Sequence, residues 1–204
     1  MRVKKKPAAP ADSTLLPGLR RYLYVTAAIT GGAIMIVEIL GAKILSPYFG
    51  TSHFVWTAQI AVTLVALACG YYAGGWLVDR ALRPGRMYAG ILGAGAYLAL
   101  SIPFVENVAY GFLRFDLAVG SLLASAFLFF IPLSLLAMVG PFFISVLTSS
   151  VTAVGGNVGR LSAVGTFGSF IGTVLIGYLL IPFLPNSGPR PENKIQTRPS
   201  TAAQ

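Results

Sequence analysis

The chain has 204 residues, of which 55% are hydrophobic and only 10% are charged, against roughly a quarter charged in an ordinary globular domain. Its mean hydropathy is +0.75, and apolar runs of about 20 residues, the length that a bilayer requires of a helix, follow one another. This composition excludes a soluble globular protein and favours a multi-pass membrane protein. A single cysteine, Cys69, lies inside an apolar run, which excludes a disulfide framework and a cysteine-based metal site.

The formal net charge of +9 comes mostly from residues outside the apolar runs. Such positions favour membrane orientation and contact with anionic lipid. No basic face carries interleaved aromatic residues, as nucleic-acid recognition would require. We therefore expect the lipid bilayer, and no nucleic acid, as a partner.

The two ends of the chain differ from the apolar middle. Residues 1–21 are basic and rich in proline, and we expect a disordered cytoplasmic arm there. A signal peptide is disfavoured because a proline-rich spacer separates the lysines from the apolar run, which has no convincing cleavage site. Residues 184–204 are predicted to form a disordered proline-rich tail, which leaves residues 22–183 as the transmembrane helical domain.

Within that domain the fold class is predicted as all-α, a polytopic bundle of five transmembrane spans. A sixth span would result if Pro141 separated two crossings, but the second piece would have only about 14 residues, short of the usual minimum of about 17. The polar patch from Glu106 to Asp116 favours an interfacial helix. The predicted spans are Tyr22–Leu45, Phe54–Val78, Met87–Phe104, Leu117–Val154 and Val158–Phe183.

Lysine and arginine in the short loops predict the orientation. The arm and the basic loop Asp79–Arg86 both belong on the cytoplasmic side, which is consistent because two spans separate them. We expect a cell membrane, inner or plasma, with the N-terminus in the cytoplasm. Five spans would place the basic tail on the outer side.

Small residues predict where the helices pack. They recur every three or four positions, a spacing that lets two backbones approach in lipid. The same stripes would suit self-association into an oligomer. They are Ala66, Gly70 and Gly74 in the second span and Ser162, Gly165, Ser169 and Gly172 in the last.

The loop between the second and third spans resembles the cytoplasmic loop signature of the major facilitator superfamily. That resemblance implies a bundle like one half of a major-facilitator fold, with the loop acting as a latch. A plain positive-inside anchor accounts for the same charges. The residues of the pattern are Gly75, Asp79, Arg80, Arg83, Gly85 and Arg86.

Longer stretches resemble the membrane part of the fused major-facilitator and spermidine-synthase family. The runs are EILGAKILSPYFG at 38–50, TSHFVWTAQIAVTLVALACGYYAGGWLVDR at 51–80, MVGPFFISVL at 138–147 and GRLSAVGTFGSFIGTVLIGYLLIP at 159–182. Lys43 and Ser145 depart from the family, which more often has arginine at both positions. The resemblance implies a soluble, spermidine-synthase-like domain that carries out aminopropyl transfer.

The chain itself offers no catalytic constellation. No glycine-rich loop follows a soluble strand and opens a helix, and His53 has no cysteine or aspartate partner beside it. We expect no catalytic residue, cofactor or metal in this chain. Aminopropyl transfer would need a separate, soluble spermidine-synthase-like partner chain.

Glu38 is the residue that carries the functional hypothesis. It lies past the midplane of the first span, where an unpaired carboxylate costs several kcal/mol. Lys43 is five positions away and therefore on a different face, so it is expected to extend to the outer interface instead. The candidate site for a cationic amine combines Glu38 with Tyr48, Trp56 and Gln59 near the outer mouth.

Each of these residues also has a plain structural interpretation. Glu38 would serve packing if it bonded a neighbouring helix, and Tyr48 and Trp56 would serve as interface anchors. The expected function is polyamine-related transport or membrane placement of an aminopropyltransferase. The alternatives are a scaffold or assembly subunit that transports nothing, and a truncated, inactive remnant.

Overall fold

A computed structural model describes residues 17–80, 84–148 and 154–183. These residues are almost entirely helical and contain no strand, so the predicted all-α class is confirmed. A 3-10 turn, Ile102–Phe104, joins α3 to α4, and a π-helical segment, Leu175–Leu180, followed by a 3-10 turn, Ile181–Phe183, extends α7. The helices are α1 (Pro17–Phe49), α2 (His53–Arg80), α3 (Pro84–Ser101), α4 (Val105–Phe112), α5 (Leu117–Ala137), α6 (Val139–Leu147) and α7 (Val154–Val174).

Among the described residues, five stretches are long and apolar enough to cross a membrane, which confirms the predicted number of spans. The chain is therefore a multi-pass membrane protein. Helices α3 and α4 together make the third span, and α5 and α6 together make the fourth. The stretches are Gly18–Phe49, His53–Arg80, Gly85–Phe112, Leu117–Leu147 and Val154–Phe183.

Pro141 does not divide the fourth span into two crossings. It lies within α6, and the helix is interrupted only at Met138. Proline has no backbone N–H, so Pro141 cannot donate to the carbonyl of Ala137 one turn earlier, and the helix is broken locally. The chain then continues in the same direction to Leu147.

The boundaries of the spans differ from those predicted. Helix α1 begins at Pro17, earlier than the predicted Tyr22, because proline fits the first turn of a helix, where no N–H is needed. The arm before residue 17 and the tail after residue 183 lie outside the described residues. Part of the patch predicted to be an interfacial helix forms α4, which belongs to the third span-length stretch and packs against α5 and α1.

Helix α5 occupies the centre of the bundle. It contacts α1, α2, α3 and α4, whereas α7 packs against α1 and α6. Its inner face carries Ala124, Leu128 and Leu133, all at most 1% exposed. The inner face of α5 therefore fixes the positions of the helices around it.

Helices α1 and α7 pack backbone against backbone, in parallel. A Cβ atom at Gly31 would overlap the carbonyl oxygen of Gly165, and one at Gly172 would lie 2.6 Å from the carbonyl oxygen of Gly32. Gly168, which the predicted stripe omits, lies against the backbone of Ala28. Gly165 itself has room, since the nearest atom to a Cβ there is 4.0 Å away.

Helices α2 and α5 are also parallel and closely packed. A Cβ at Gly70 would overlap the carbonyl oxygen of Ser134, and one at Gly74 would lie 2.9 Å from the Cα of Met138. Gly70 and Gly74, one turn apart, therefore set the register of α2 on α5.

Candidate functional site

A cavity of about 520 Å³ lies among α1, α2, α5, α6 and α7, in the half of the bundle where α1 begins. Most of its wall is apolar, from residues such as Ile34, Leu67 and Phe143. Cavities of roughly 300–1,000 Å³ with apolar walls and a few polar groups are typical of small-ligand sites. The hydroxyl groups in the wall belong to Thr30, Tyr71, Ser162, Thr166 and Ser169.

Two of these hydroxyls are already engaged by the backbone. Thr30 donates to the carbonyl of Thr26 at 2.8 Å, and Ser169 lies 3.0 Å from the carbonyl oxygen of Gly31 on α1. The second bond holds α7 to α1 at the cavity wall. Tyr71 is half exposed, and it is an aromatic residue of α2 in the cavity wall.

Glu38 lies on the cavity-facing side of α1. It follows Ile34 and Met35, which line the cavity, by four and three residues, so it shares their face one turn further on, about 5 Å along the axis. The side chain is half buried. Within the described part of the chain no residue forms a hydrogen bond or ion pair with its carboxylate. Glu38 therefore lies just beyond the inner end of the cavity, and no described residue supplies a counter-charge to its carboxylate.

Lys43 has a different partner. Its ammonium group donates a hydrogen bond of 2.8 Å to the backbone carbonyl of Ile181, at the end of the last span. The π-helical segment before Ile181 changes the regular hydrogen-bonding pattern, and a cation is favourable at the carbonyl end of a helix. Lys43 is half buried there, and its partner Ile181 lies two residues before the end of the last span.

Gln59 lies in the interior of the bundle and not at an outer mouth. The residue is 0% exposed, and neither its amide nitrogen nor its amide oxygen has a hydrogen-bond partner among the described residues. Its amide group packs on Gly41 of α1, where a Cβ atom would lie 2.9 Å from Nε2. Gly41 therefore leaves the space that the amide occupies.

Tyr48 and Trp56 lie apart from the cavity. The ring of Tyr48 packs edge-on against Tyr110 of α4, with 5.5 Å between the ring centroids. Trp56 is 46% exposed on the outer surface of α2. None of the four predicted residues lines the cavity, although Glu38 lies on the stripe that leads to it.

The loop pattern between α2 and α3 is placed only in part. Gly75 and Gly85 have no atom within 4 Å of a Cβ position, so the close contact with α5 comes from Gly74 instead of Gly75. Arg80 stacks over the ring of Trp76 at 3.8 Å. Asp79 and Arg86 are exposed, and Arg83 lies outside the described residues.

Sequence reasoning missed part of the site. Tyr71 and Thr166 line the cavity, and the hydroxyl of Ser125 on α5 is buried without a partner. A polar residue inside an apolar span was the available signal for Thr166 and Ser125. Where the structure describes the chain, no three His, Cys, Asp or Glu side chains lie close enough to bind a metal ion together.

Comparisons with protein-family models, with curated proteins and with solved structures find no match to this chain.

Proposed function

We propose that this multi-pass membrane protein binds a cationic amine in the cavity and moves it across the membrane, with Glu38 as the counter-charge. The observation that carries the proposal is the position of Glu38, on the cavity-facing stripe of α1 with no protein partner among the described residues. Ionisable groups at this depth are costly and characteristically mark ligand or ion pathways.

The residues that line the cavity favour an amine that also has an apolar segment. Its wall is mainly apolar, and Tyr71 offers an aromatic face to a cation. A polyamine such as spermidine combines ammonium groups with methylene segments, and the sequence resemblance to spermidine-synthase-like membrane segments favours that class. We therefore take spermidine as the probe.

The test measures labelled spermidine, both as binding to the protein in lipid nanodiscs and as flux in vesicles. Glu38→Gln should weaken binding about 30-fold or more, since losing the partner of a desolvated charge costs about 2–5 kcal/mol. Glu38→Asp should keep much of it, because the charge remains. Equal flux in vesicles without the protein, or unchanged binding in Glu38→Gln, would refute the proposal.

A matched control is available on α4. Glu106 is exposed and distant from the cavity lining. Glu106→Gln removes the same charge from the same kind of side chain, so it should leave spermidine binding unchanged. Equal losses in both variants would indicate a general effect of net charge.

An alternative role is to hold a soluble, spermidine-synthase-like chain at the membrane. The observation that favours it is the exposed, charged end of α2 and start of α3, with Asp79, Arg80 and Arg86. Co-purification of such a chain in mild detergent, lost on exchange of these three residues for serine, would support it. Absence of any such partner, together with spermidine flux by the isolated protein, would rule it out.

A further inference from the structure

The buried contact between α1, α2 and α5 contains polar atoms that no described residue satisfies. Both ends of the Gln59 amide and the hydroxyl of Ser125 are buried without hydrogen-bond partners, and both residues are 0% exposed. Their surroundings are apolar, with Leu45, Leu128 and Phe129 in the same core. Buried polar groups in native proteins are almost always hydrogen-bonded, to protein or to ordered water.

The packing places Gln59 and Ser125 at one level of the bundle. Helices α2 and α5 are parallel, with Gly70 against Ser134 and Gly74 against Met138, and the same register carried back brings Gln59 level with Leu123, about 3 Å along the axis from Ser125. Gly41 supports this, since a Cβ there would lie 2.9 Å from Gln59 and 3.0 Å from the ring of Phe129, one turn from Ser125. Glu38 lies one turn from Gly41 on α1.

From this geometry we infer that Gln59 and Ser125 bind ordered water, and that this hydrated subsite continues the polar route from the cavity past Glu38 toward the far side of the bundle. Water is the ligand that fits because it both donates and accepts hydrogen bonds. A bare metal cation would satisfy the oxygens of Gln59 and Ser125 but would leave the amide N–H groups without an acceptor.

The route crosses the bundle in three stages. The cavity occupies the half where α1 begins, Glu38 lies past its inner end, and Gln59 with Ser125 lies in the opposite half. The inference deepens the proposed function and rests on it only for the identity of the molecule transported. Hydration itself is measured without any amine.

The experiment compares two serines on the same face of α5. Ser121 and Ser125 are both 0% exposed, but the hydroxyl of Ser121 donates to the carbonyl of Ala118, whereas that of Ser125 has no partner. In a Cys69→Ser background, Ser121→Cys and Ser125→Cys are treated in nanodiscs with 2-aminoethyl methanethiosulfonate. This small cationic reagent reacts with ionised thiols, which form only where water is present.

We expect Ser125→Cys to be modified at least tenfold faster than Ser121→Cys. Equal rates would overturn the inference. If Ser125→Cys does not fold, Gln59→Cys against Thr63→Cys gives the same comparison on α2, because Thr63 is buried and donates to the carbonyl of Gln59 at 2.9 Å. Equal rates in that pair would overturn the inference in the same way.

A second measurement separates this inference from the proposed function. Gln59→Leu should reduce spermidine flux at least tenfold while binding in the cavity changes less than twofold. If the unmodified protein does not bind spermidine but Ser125→Cys is still labelled preferentially, amine transport alone is refuted. Spermidine flux with no preferential labelling of Ser125→Cys would refute the hydrated route alone.

Discussion

The ammonium group of Lys43 in the first span is bonded to the carbonyl oxygen of Ile181 in the last, at 2.8 Å. The contact joins residues 138 positions apart and ties the far ends of two parallel helices together. Since the π-helical segment that precedes Ile181 departs from the regular hydrogen-bond pattern, this cation stabilises a helix end that lacks the usual geometry.

Replacing Lys43 should destabilise the bundle. Lys43→Met keeps the length and apolar stem but removes the charged donor, so we expect a melting temperature lower by roughly 3–12 °C, from a charge-assisted bond worth about 1.5–3 kcal/mol. Thermal unfolding of the purified protein, followed by tryptophan fluorescence, measures this. Lys43→Arg should retain most of the stability because a guanidinium also donates to a carbonyl. An unchanged melting temperature in Lys43→Met would contradict the role given to this bond.

The parallel contact of α1 and α7 predicts a difference between two neighbouring glycines. Gly168→Ala should cost about 1–3 kcal/mol, since the new methyl group overlaps the backbone of Ala28. Gly165→Ala should be close to neutral, because the nearest atom to its Cβ position is 4.0 Å away. Denaturation of both variants in the same detergent gives the comparison. The reverse order of stability would show that a different face of α7 meets α1.

The aromatic wall of the cavity predicts a difference between adjacent tyrosines. Tyr71 lines the cavity, whereas Tyr72 does not and is 80% exposed. Tyr71→Leu should weaken spermidine binding about 2- to 10-fold through loss of a cation–π contact, and Tyr71→Phe, which keeps the ring, should retain most of it. Tyr72→Leu is the control and should bind normally. Binding isotherms in nanodiscs distinguish the three variants, and equal affinities would exclude Tyr71 from the site.

The charge distribution predicts the orientation of the bundle. We expect the start of α3, with Gly85, in the cytoplasm and the loop that contains Thr51 on the outer side, because lysine and arginine near short connections are retained inside. In a Cys69→Ser background, Thr51→Cys should react with an impermeant maleimide in intact cells. Gly85→Cys should react only after permeabilisation. The opposite pattern would contradict the predicted topology and place the half of the bundle that holds the cavity on the outer side.

The number of spans was predictable from the sequence, and so was the close packing at Gly70, Gly74 and Gly172, but the partner helix of each contact was not. The bilayer fixes the length of an apolar helix, so five runs could be recognised without knowing their neighbours. A helix that faces lipid on one side and protein on the other is apolar all round, so hydropathy does not reveal which face is buried. The loop pattern therefore pointed to Gly75, although the contact with α5 is made by Gly74.

The polar residues show the same limit. A polar group within an apolar run is a clear signal, and Glu38 and Gln59 were recognised by it. The separation of the predicted site residues in space was not predictable. Gln59 packs on α1 at Gly41, whereas Trp56, only three positions earlier, is exposed on the outer surface. The small-residue stripe predicted for α7 likewise omitted Gly168, because the spacing of small residues does not show which of them lie against a neighbouring backbone.

Helix α1 is in direct contact with backbone or amide atoms on two sides, with α7 at Gly31 and Gly32 and with Gln59 at Gly41. At Gly31 and Gly32 the contacts include the backbone of α7, whereas at Gly41 the contact is with the end of the Gln59 side chain. The backbone of α1 therefore contacts α7 beside the cavity and also leaves the space for the Gln59 amide, so a change in the position of α1 would alter both contacts. Gly31, Gly32 and Gly41 thus connect the two halves of the bundle through one helix.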